Sequence, residues 1–458
     1  MTAAHQMVPA TVGARARPFK RLGVAFGPRF FVLLAVGLMW LGPALVDPRF
    51  VYAMVAWDLL VVSAWLVDVW QLPSPSDLTL QRSWTAPSAL SVRSRITLTL
   101  VNESASTIRT TILDAVPHQL RPEPSSVRLD AGPHSEAGTG YPIVPSARGE
   151  MAIGDAYIRY QSPLRIAERW ARADLAQTIV TYPNLDEAKR ESVSLVRSQQ
   201  LEMERRSRRR RGAGRSFESL REHQSGDEFR DICWTASARR GKLVTQMFEI
   251  ERSQPIWIVI DAGRLMRARV SDVTKLDRAV NAALTLSQVA LGSGDRVGLL
   301  AYGRRVGHCL PAARGSAHLR RIMEHLAIVQ AEEAEADHLL AAGRLLTDQK
   351  RRSLIVWITD VPDTAMTPEV VTAAAQLMAR HLVLFVVIGQ PDLFRVATRR
   401  PETADEMYET AAAQEVVYRR EVLLARLRSQ GALALEAGAK LSPALVNAYL
   451  DIKLRNRI

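Results

Sequence analysis

The chain has 458 residues, and its 60 Lys and Arg against 47 Asp and Glu give a formal net charge of +13. Hydrophobic residues make up 47% and charged residues 23% of the sequence, which excludes wholesale disorder and predicts a globular protein of several domains. The sequence contains two cysteines, Cys233 and Cys309, which excludes a disulfide scaffold and a zinc site built mainly from thiolates.

The first 72 residues have the pattern of a membrane anchor. Residues 1–29 contain five bases and no acid, which predicts a basic cytoplasmic leader. Apolar runs from Phe30 to Val46 and from Phe50 to Leu72 predict a two-span transmembrane hairpin over 30–72, since about 20 apolar residues cross a bilayer as a helix. A cleaved signal peptide and a buried core hairpin are the alternatives. Bases on both flanks predict that both termini and the large soluble part lie on the cytoplasmic side of the cell (inner) membrane.

Two acids interrupt the second apolar run. Asp68 lies near its predicted cytoplasmic end, where the carboxylate can reach water, whereas Asp58 lies deeper. Carboxylates are costly in lipid, so Asp58 could be protonated or face a partner helix, but the span is long enough to tilt or shift, which favours no specific role.

The segment 73–185 predicts a small β-sandwich-like domain. Apolar and polar residues alternate from Ile96 to Leu100, as in a half-buried strand, and Pro and Gly recur about every dozen residues. Further strands are predicted at Thr107–Leu113, Ser126–Leu129, Ala156–Tyr160 and Thr178–Tyr182. No catalytic constellation is evident here, so the domain is expected to be structural or to serve interactions.

The segment 186–250 combines a basic linker with a distinctive block of sequence. The linker contains a run of arginines: Arg205, Arg206, Arg208, Arg209, Arg210, Arg211 and Arg215. The run fits anionic lipid at the cytoplasmic leaflet, nucleic acid, or simply a solvated linker. No aromatic residue lies within the run for bases to stack on, so nucleic-acid binding is the least favoured.

The block after this linker, 217–243, resembles the signature of the domain-of-unknown-function 58 family, in which an F-x-x-L-R-x-Y-x-x-G-D-x-x-R-x-I-x-W-x-x-x-A-R pattern precedes a von Willebrand factor type A domain. The residues of this chain that carry the resemblance are Leu220, Arg221, Gly226, Asp227, Arg230, Ile232, Trp234, Ala238 and Arg239. His223 stands where the family usually has Tyr. Upstream, Pro145–Gly149 resembles the family's P-x-x-R-G stretch.

The composition of this block also predicts a structural role. Its arginines alternate with acids around Phe229, Ile232 and Trp234, a spacing that allows paired charges around apolar anchors. We expect Trp234 and Arg239 to hold the two soluble domains together. A ligand site is the alternative.

Strands and helices alternate over 251–458 and predict an α/β domain with a doubly wound parallel sheet. Buried strands are predicted at Ile256–Ile260, Val297–Tyr302, Ser353–Ile358 and Leu382–Ile388. The resemblance implies that this is the von Willebrand type A-like domain.

Such domains bind a divalent ion through an Asp-x-Ser-x-Ser loop, a Thr and a second Asp. In this chain Asp261 keeps the first acid, but Gly263 and Leu265 replace both hydroxyl residues. Asp360 matches the last acid, and the Thr position falls near Ala336 or Asp337. The resemblance therefore implies a degenerate metal site of Asp261, Asp337 and Asp360, at which Mg²⁺ or Mn²⁺ is possible but no cofactor is expected.

Three function classes follow. The first is a membrane-anchored, non-enzymatic interaction protein whose type A-like domain docks a protein partner. Members of the family are often encoded beside MoxR-type AAA+ ATPases, which implies such a partner in envelope-related assembly or maturation. The second is a metal-dependent hydrolase that uses Asp261 and Asp360. The third is a nucleic-acid-associated membrane protein that uses the Arg205–Arg215 run.

Overall fold

The computed structural model describes residues 8–19, 23–121, 125–184, 216–224, 229, 232–249, 254–270, 273–360, 368–437 and 440–455. The chain divides into two compact units, Met1–Tyr182 and Pro183–Ile458. Each unit has its own hydrophobic core.

The first unit is a β-sandwich built on alternating strands. Its strands are β1 (Val12–Pro18), β2 (Val24–Phe26), β3 (Leu78–Trp84), β4 (Ser94–Asn102), β5 (Ile108–Asp114), β6 (Ser125–Ala131), β7 (Ser135–Ile143), β8 (Gly149–Ile153), β9 (Ala156–Gln161), β10 (Ala167–Ala173) and β11 (Gln177–Thr181). The order is β6-β5-β9-β10-β1-β3-β4-β7, with antiparallel neighbours. The predicted strands of this region are all present.

Strand β1 corrects the prediction that residues 1–29 are a leader outside the β domain. Val12–Arg15 pair with β3 and Ala16–Pro18 pair with β10, so β1 joins the two layers of the sandwich. Two of the five bases that suggested a leader, Arg15 and Arg17, lie on its solvent side and form ion pairs with Glu103 and Asp174. Apolar or small residues and bases alternate along this strand in the sequence. The bases were interpreted only as the positive flank of a membrane span, so the strand was missed.

The apolar segment between β2 and β3 is helical. It forms α1 (Pro28–Gly37), a short 3₁₀ turn (Leu38–Trp40), α2 (Leu41–Ala44) and α3 (Phe50–Gln71). Among the described residues, α3 alone is long and apolar enough to cross a membrane, and Pro28–Ala44 is a shorter apolar helical stretch. The two-span hairpin therefore stays a prediction.

The end of α3 is fixed to the β-sandwich. The carboxylate of Asp68 is buried and accepts hydrogen bonds from the backbone N–H groups of Ile166 (3.2 Å) and Ala167 (2.7 Å), at the start of β10. Arg169 of the same strand donates to the carbonyl oxygens of Val69 (3.3 Å) and Pro73 (3.0 Å). Asp68 thus binds protein, whereas the sequence had suggested that its carboxylate reaches water.

The second unit begins with a hairpin and a short helix, then forms an α/β sheet. Its elements are β12 (Ser216–Glu222), α4 (Trp234–Arg240), β13 (Val244–Glu249), β14 (Pro255–Asp261), β15 (Arg269–Val270), β16 (Val273–Thr274), α5 (Lys275–Gly292), β17 (Arg296–Tyr302), β18 (Val306–Ala313), α6 (Ser316–Ile328), α7 (His338–Asp348), β19 (Leu354–Thr359), α8 (Pro368–Met378), β20 (Leu382–Ile388), α9 (Pro391–Thr398), α10 (Ala404–Ser429), β21 (Leu433–Ala437) and α11 (Leu441–Leu454).

The sheet of this unit has the order β18-β17-β14-β19-β20-β21. Its neighbours are parallel except at the edge, where β18 is antiparallel to β17. Helices α7, α8 and α10 cover one face, where Trp257, Trp357 and Phe385 form the core. The central strands are buried on both faces, as expected for a parallel sheet between helical layers. The predicted α/β domain with a parallel sheet is therefore confirmed.

Candidate functional site

Two of the predicted acids lie together at the carboxyl edge of the sheet. Asp261 ends β14, and Asp360 directly follows the neighbouring strand β19. One carboxylate oxygen of Asp261 accepts the N–H of Gly263 (2.7 Å) and the other accepts the hydroxyl of Thr359 (2.6 Å). Burial raises the pKa of Asp261 to about 6, although these two hydrogen bonds oppose the shift. Both oxygens of Asp261 are thus already bound within the protein.

Asp360 is held between two cations. Its Oδ2 atom accepts from Nζ of Lys275, the first residue of α5, and its Oδ1 atom accepts from the guanidinium of Arg420 in α10 at 3.2 Å. All three side chains are at most 8% exposed. Removing charges from water is costly unless they are paired, so this buried trio is stable only as a unit.

The third predicted acid does not join these two. The side chain of Asp337 caps α7 by accepting the N–H of Leu340 at 2.8 Å, and its own N–H donates to the carbonyl of Gly303 at 2.9 Å. A carboxylate at a helix N-terminus is stabilised by the helix dipole. Asp337 therefore serves the fold of α7.

The position of Gly263 has no room for a side chain. A Cβ atom there would lie 2.8 Å from the backbone nitrogen of Ala336 and 2.9 Å from its Cβ. Two backbone hydrogen bonds hold the loop before α7 against this loop, from the N–H of Arg264 to the carbonyl of Ala334 (2.9 Å) and from the N–H of Glu332 to the carbonyl of Ala262 (2.7 Å). The serine of an intact type A loop is thus excluded sterically.

A buried polar network lies beside the edge. The indole N–H of Trp357 donates to the hydroxyl of Tyr302 at 2.7 Å, and that hydroxyl lies 2.8 Å from Nδ1 of His338. An indole can only donate, so the Tyr302 hydroxyl is free to donate to the imidazole. Burial lowers the pKa of His338 to about 4 and raises that of Tyr302. The network is therefore neutral at physiological pH.

The family signature segment is partly described. Leu220 and Arg221 lie in β12, Ile232 is buried, and Trp234, Ala238 and Arg239 lie on α4. Trp234 is 66% exposed, so it is not the buried anchor that the sequence suggested. The buried contact comes instead from Ser237, whose hydroxyl accepts the N–H of Val244 at 2.9 Å. Gly226, Asp227, Arg230 and the arginines of the 205–215 run lie outside the described residues.

Helix α10 has two apolar faces. Leu423, Leu424 and Leu427 pack in the core of the sheet. On the opposite side an exposed stripe follows helical spacing: Met407, Tyr408, Ala411, Tyr418 and Val422. An amphipathic surface helix normally has polar residues there, so this stripe is a candidate contact surface.

The sequence predicted Asp261 and Asp360 but not their partners. Lys275 and Arg420 are 145 residues apart in the chain and meet only because α5 and α10 both reach the carboxyl edge. Lys275 follows the capping residue Thr274, so helix capping was its only local signal. Among the described residues no cluster of three or more His, Cys, Asp or Glu could hold a metal ion.

Together these features define an α/β domain whose largely parallel sheet holds, at its carboxyl edge, acids already bound by the protein's own donors. Residues 219–396 match the model of the family described as "Protein of unknown function DUF58". The resemblance read from the signature segment is therefore confirmed over residues 219–396.

Curated relatives match parts of the chain. The Uncharacterized protein YeaD of Bacillus subtilis (strain 168) is 29% identical over 117 residues, 26% of this chain and 27% of that protein. The Uncharacterized protein Rv1480 of Mycobacterium tuberculosis (strain ATCC 25618 / H37Rv) is 26% identical over 184 residues, 39% of this chain and 56% of that protein. The chain thus spans between a quarter and about half the length of these relatives, and neither has an enzyme name.

Solved structures with partial likeness are also found. The protein BatB from Bacteroides thetaiotaomicron has 15% identity and a TM-score of 0.31, covering 44% of this chain and 100% of that chain. An aerotolerance-related membrane protein from Bacteroides fragilis NCTC 9343 has 15% identity and a TM-score of 0.30 with the same coverage. The strand order β18-β17-β14-β19-β20-β21 itself defines the fold of this domain.

Proposed function

We propose that this protein is a membrane-anchored, non-enzymatic interaction protein whose α/β domain docks a protein partner. The observation that carries the proposal is the second, exposed apolar stripe of α10. Tyr408 and Tyr418 are 76% and 62% exposed on the side of the helix opposite its core face. Large aromatic side chains are enriched where protein interfaces bind most strongly.

The geometry of α10 makes this stripe accessible. Arg420 lies at the carboxyl edge of the sheet, where it pairs with Asp360. From Arg420 back to Ala404 the helix rises about 24 Å, so its first half extends past the edge. This half packs on α9, where Gln414 donates to the carbonyl of Ala397 at 3.0 Å and Arg399 pairs with Glu409 at 3.2 Å. The two helices form an arm that presents Tyr408 to a partner.

The state of the carboxyl edge supports binding without a divalent ion. Magnesium needs six oxygen ligands in near-octahedral geometry. Here the oxygens of Asp261 and Asp360 already accept protein donors, and the ammonium of Lys275 supplies the positive charge beside Asp360. These residues do not fit a divalent metal ion. A hydrolase that activates water through them is disfavoured for the same reason.

The β-sandwich supports a two-span anchor. Strands β1 and β2 precede the apolar helices, β3 follows them, and all three belong to one sheet. Both ends of the apolar segment must therefore lie on the same side of any membrane that the segment enters. We propose that α1–α2 and α3 cross as a hairpin, with the sandwich on the cytoplasmic side because of its basic flanks.

A binding experiment tests the proposed docking. The family resemblance implies a MoxR-type AAA+ ATPase, so the full chain in detergent is titrated with the ATPase encoded in the same genome. We expect saturable binding without added metal, weakened roughly tenfold or more by Tyr408→Ser with Tyr418→Ser, since buried aromatic contacts at interfaces are worth about 2 kcal/mol or more. Ile328→Ser on α6 is the matched control. Binding that ignores the tyrosines, or that requires magnesium, contradicts the proposal.

A further inference from the structure

A cleft lies at the opposite, amino edge of the same sheet. It has a volume of about 690 Å³, within the range of small-molecule sites. Arg296 begins β17 at one wall, and Lys350 and Arg351 lie on the loop that leads from α7 to β19. The indole N–H of Trp257 donates to Gln349 at 3.2 Å, which ties this loop to the sheet.

The charge of the cleft is strongly positive. Arg296, Arg344, Lys350 and Arg351 line it together with one acid, Asp348. Asp348 pairs with Arg344 at 2.8 Å, so these two charges offset each other. In the part of the chain that the structure describes, the other three bases have no carboxylate within ion-pair distance. Among the described residues, about three positive charges therefore line the cleft without a counter-charge.

One donor in this cleft is buried and unused. The Nε atom of Arg296 has no hydrogen-bond partner among the described residues. Leaving a buried charged donor without an acceptor costs about 1–3 kcal/mol, and native proteins seldom do so. This unpaired atom agrees with a positive charge on Arg296 that the described residues do not neutralise.

We propose that this cleft binds an anionic, phosphate-bearing ligand through Arg296, Lys350 and Arg351. Guanidinium groups match phosphate oxygens in a planar, bidentate geometry, and the lysine adds a point charge. A soluble organic phosphate and an anionic lipid headgroup share this chemistry. The site is separate from the carboxyl edge and from the stripe on α10.

Cys309 gives a local readout because its side chain also lines the cleft. With Cys233→Ser it is the single cysteine of the chain. Burial and the neighbouring Asp348 raise the pKa of its thiol, so alkylation is followed at mildly alkaline pH. The full chain in detergent is titrated with pyrophosphate, and binding is measured by calorimetry and by slower alkylation of Cys309. A second arm compares Cys309 protection in phosphatidylglycerol and phosphatidylcholine nanodiscs.

We expect protection by pyrophosphate if the ligand is soluble, and protection only in phosphatidylglycerol if it is a headgroup. Lys350→Gln with Arg351→Gln, and separately Arg296→Gln, should weaken binding roughly tenfold. The exposed Arg426→Gln, beside the far edge strand β21, should leave it unchanged. If neither ligand protects Cys309, or if Arg426→Gln weakens binding equally, the proposal is overturned. If these bases only stabilise the end of α7, substituting them would change the stability of the domain, and no binding would be observed.

Discussion

The ammonium of Lys275 is paired with the carboxylate of Asp360 inside the α/β domain, where their side chains are 3% and 5% exposed. A lysine buried this deeply is stable only because its partner is fixed in place. The pair joins the start of α5 to the end of β19, and Arg420 extends it to α10. Three elements that meet at the carboxyl edge are thus linked through one carboxylate.

Lys275→Met should strongly destabilise the domain. Removing one partner of a buried ion pair typically costs about 3–5 kcal/mol, although Arg420 still pairs with Asp360 here and should reduce the loss. Hydrogen exchange of the β14 and β19 amides in the full chain measures the effect. The control is Arg419→Gln, which removes an exposed pair with Glu415 and should cost less than about 1 kcal/mol. Equal destabilisation in the two variants would show that the buried pair contributes no more to stability than the exposed pair.

Gly263→Ala should destabilise the carboxyl edge by about 1–3 kcal/mol, because the new Cβ would meet the backbone of Ala336 at 2.8 Å. Gly343→Ala is the matched control. It lies in α7 with open space around it and should stabilise the helix by about 0.5–1 kcal/mol. Urea unfolding followed by circular dichroism compares the two. A neutral Gly263→Ala would mean that the loop can move aside, and would reopen the question of a serine at this position.

Asp261 and His338 should affect the pH dependence of stability in opposite directions. The pKa of Asp261 is raised from 3.8 to about 6 on folding, so the folded state binds more protons and loses stability as pH rises through this window. The pKa of His338 falls from 6.5 to about 4, so the folded state gains stability as pH rises between these values. In the wild type the two effects therefore oppose each other.

Single substitutions should separate these two effects. Relative to wild type, Asp261→Asn should gain stability as pH rises from 4 to 6. The wild type loses stability over this range because of Asp261, and the variant does not. That of His338→Asn should decrease over the window from 4 to 6.5. Urea unfolding of both variants at several pH values gives the two slopes. Slopes of the same sign would contradict the assignment.

Local patterns predicted much of the fold, and contacts distant in sequence explain what was missed. The strands at Ile256–Ile260 and Ser353–Ile358 were evident as apolar runs that end in acids. Nothing near Lys275 indicates that it reaches Asp360, since that contact depends on the crossover of α5 over the sheet. Trp234 was expected to be buried because large aromatics usually are, yet α4 turns it outward. Strand β1 was missed because its arginines were interpreted only as flanking charge.

The pairing of β1 with β10 gives the most direct test of the anchor's topology. Arg17 of β1 lies opposite Arg172 of β10, and both side chains are exposed. Opposite residues of antiparallel strands have Cα atoms about 4.5–5.5 Å apart, which a disulfide can bridge. In a chain with Cys233→Ser and Cys309→Ser, the pair Arg17→Cys with Arg172→Cys should therefore cross-link under mild oxidation in intact membranes.

The control pair is Arg17→Cys with Arg159→Cys. Arg159 lies on β9, one strand beyond β10. Strands are about 4.8 Å apart, so these two sites lie too far apart to bridge. A membrane-impermeant thiol reagent applied to single-cysteine variants at Arg17 and Arg172 then reports the side of the membrane. The cysteines at both positions should be protected in intact cells from reagent added outside. Labelling of only one of them would show that the apolar segment crosses the membrane an odd number of times.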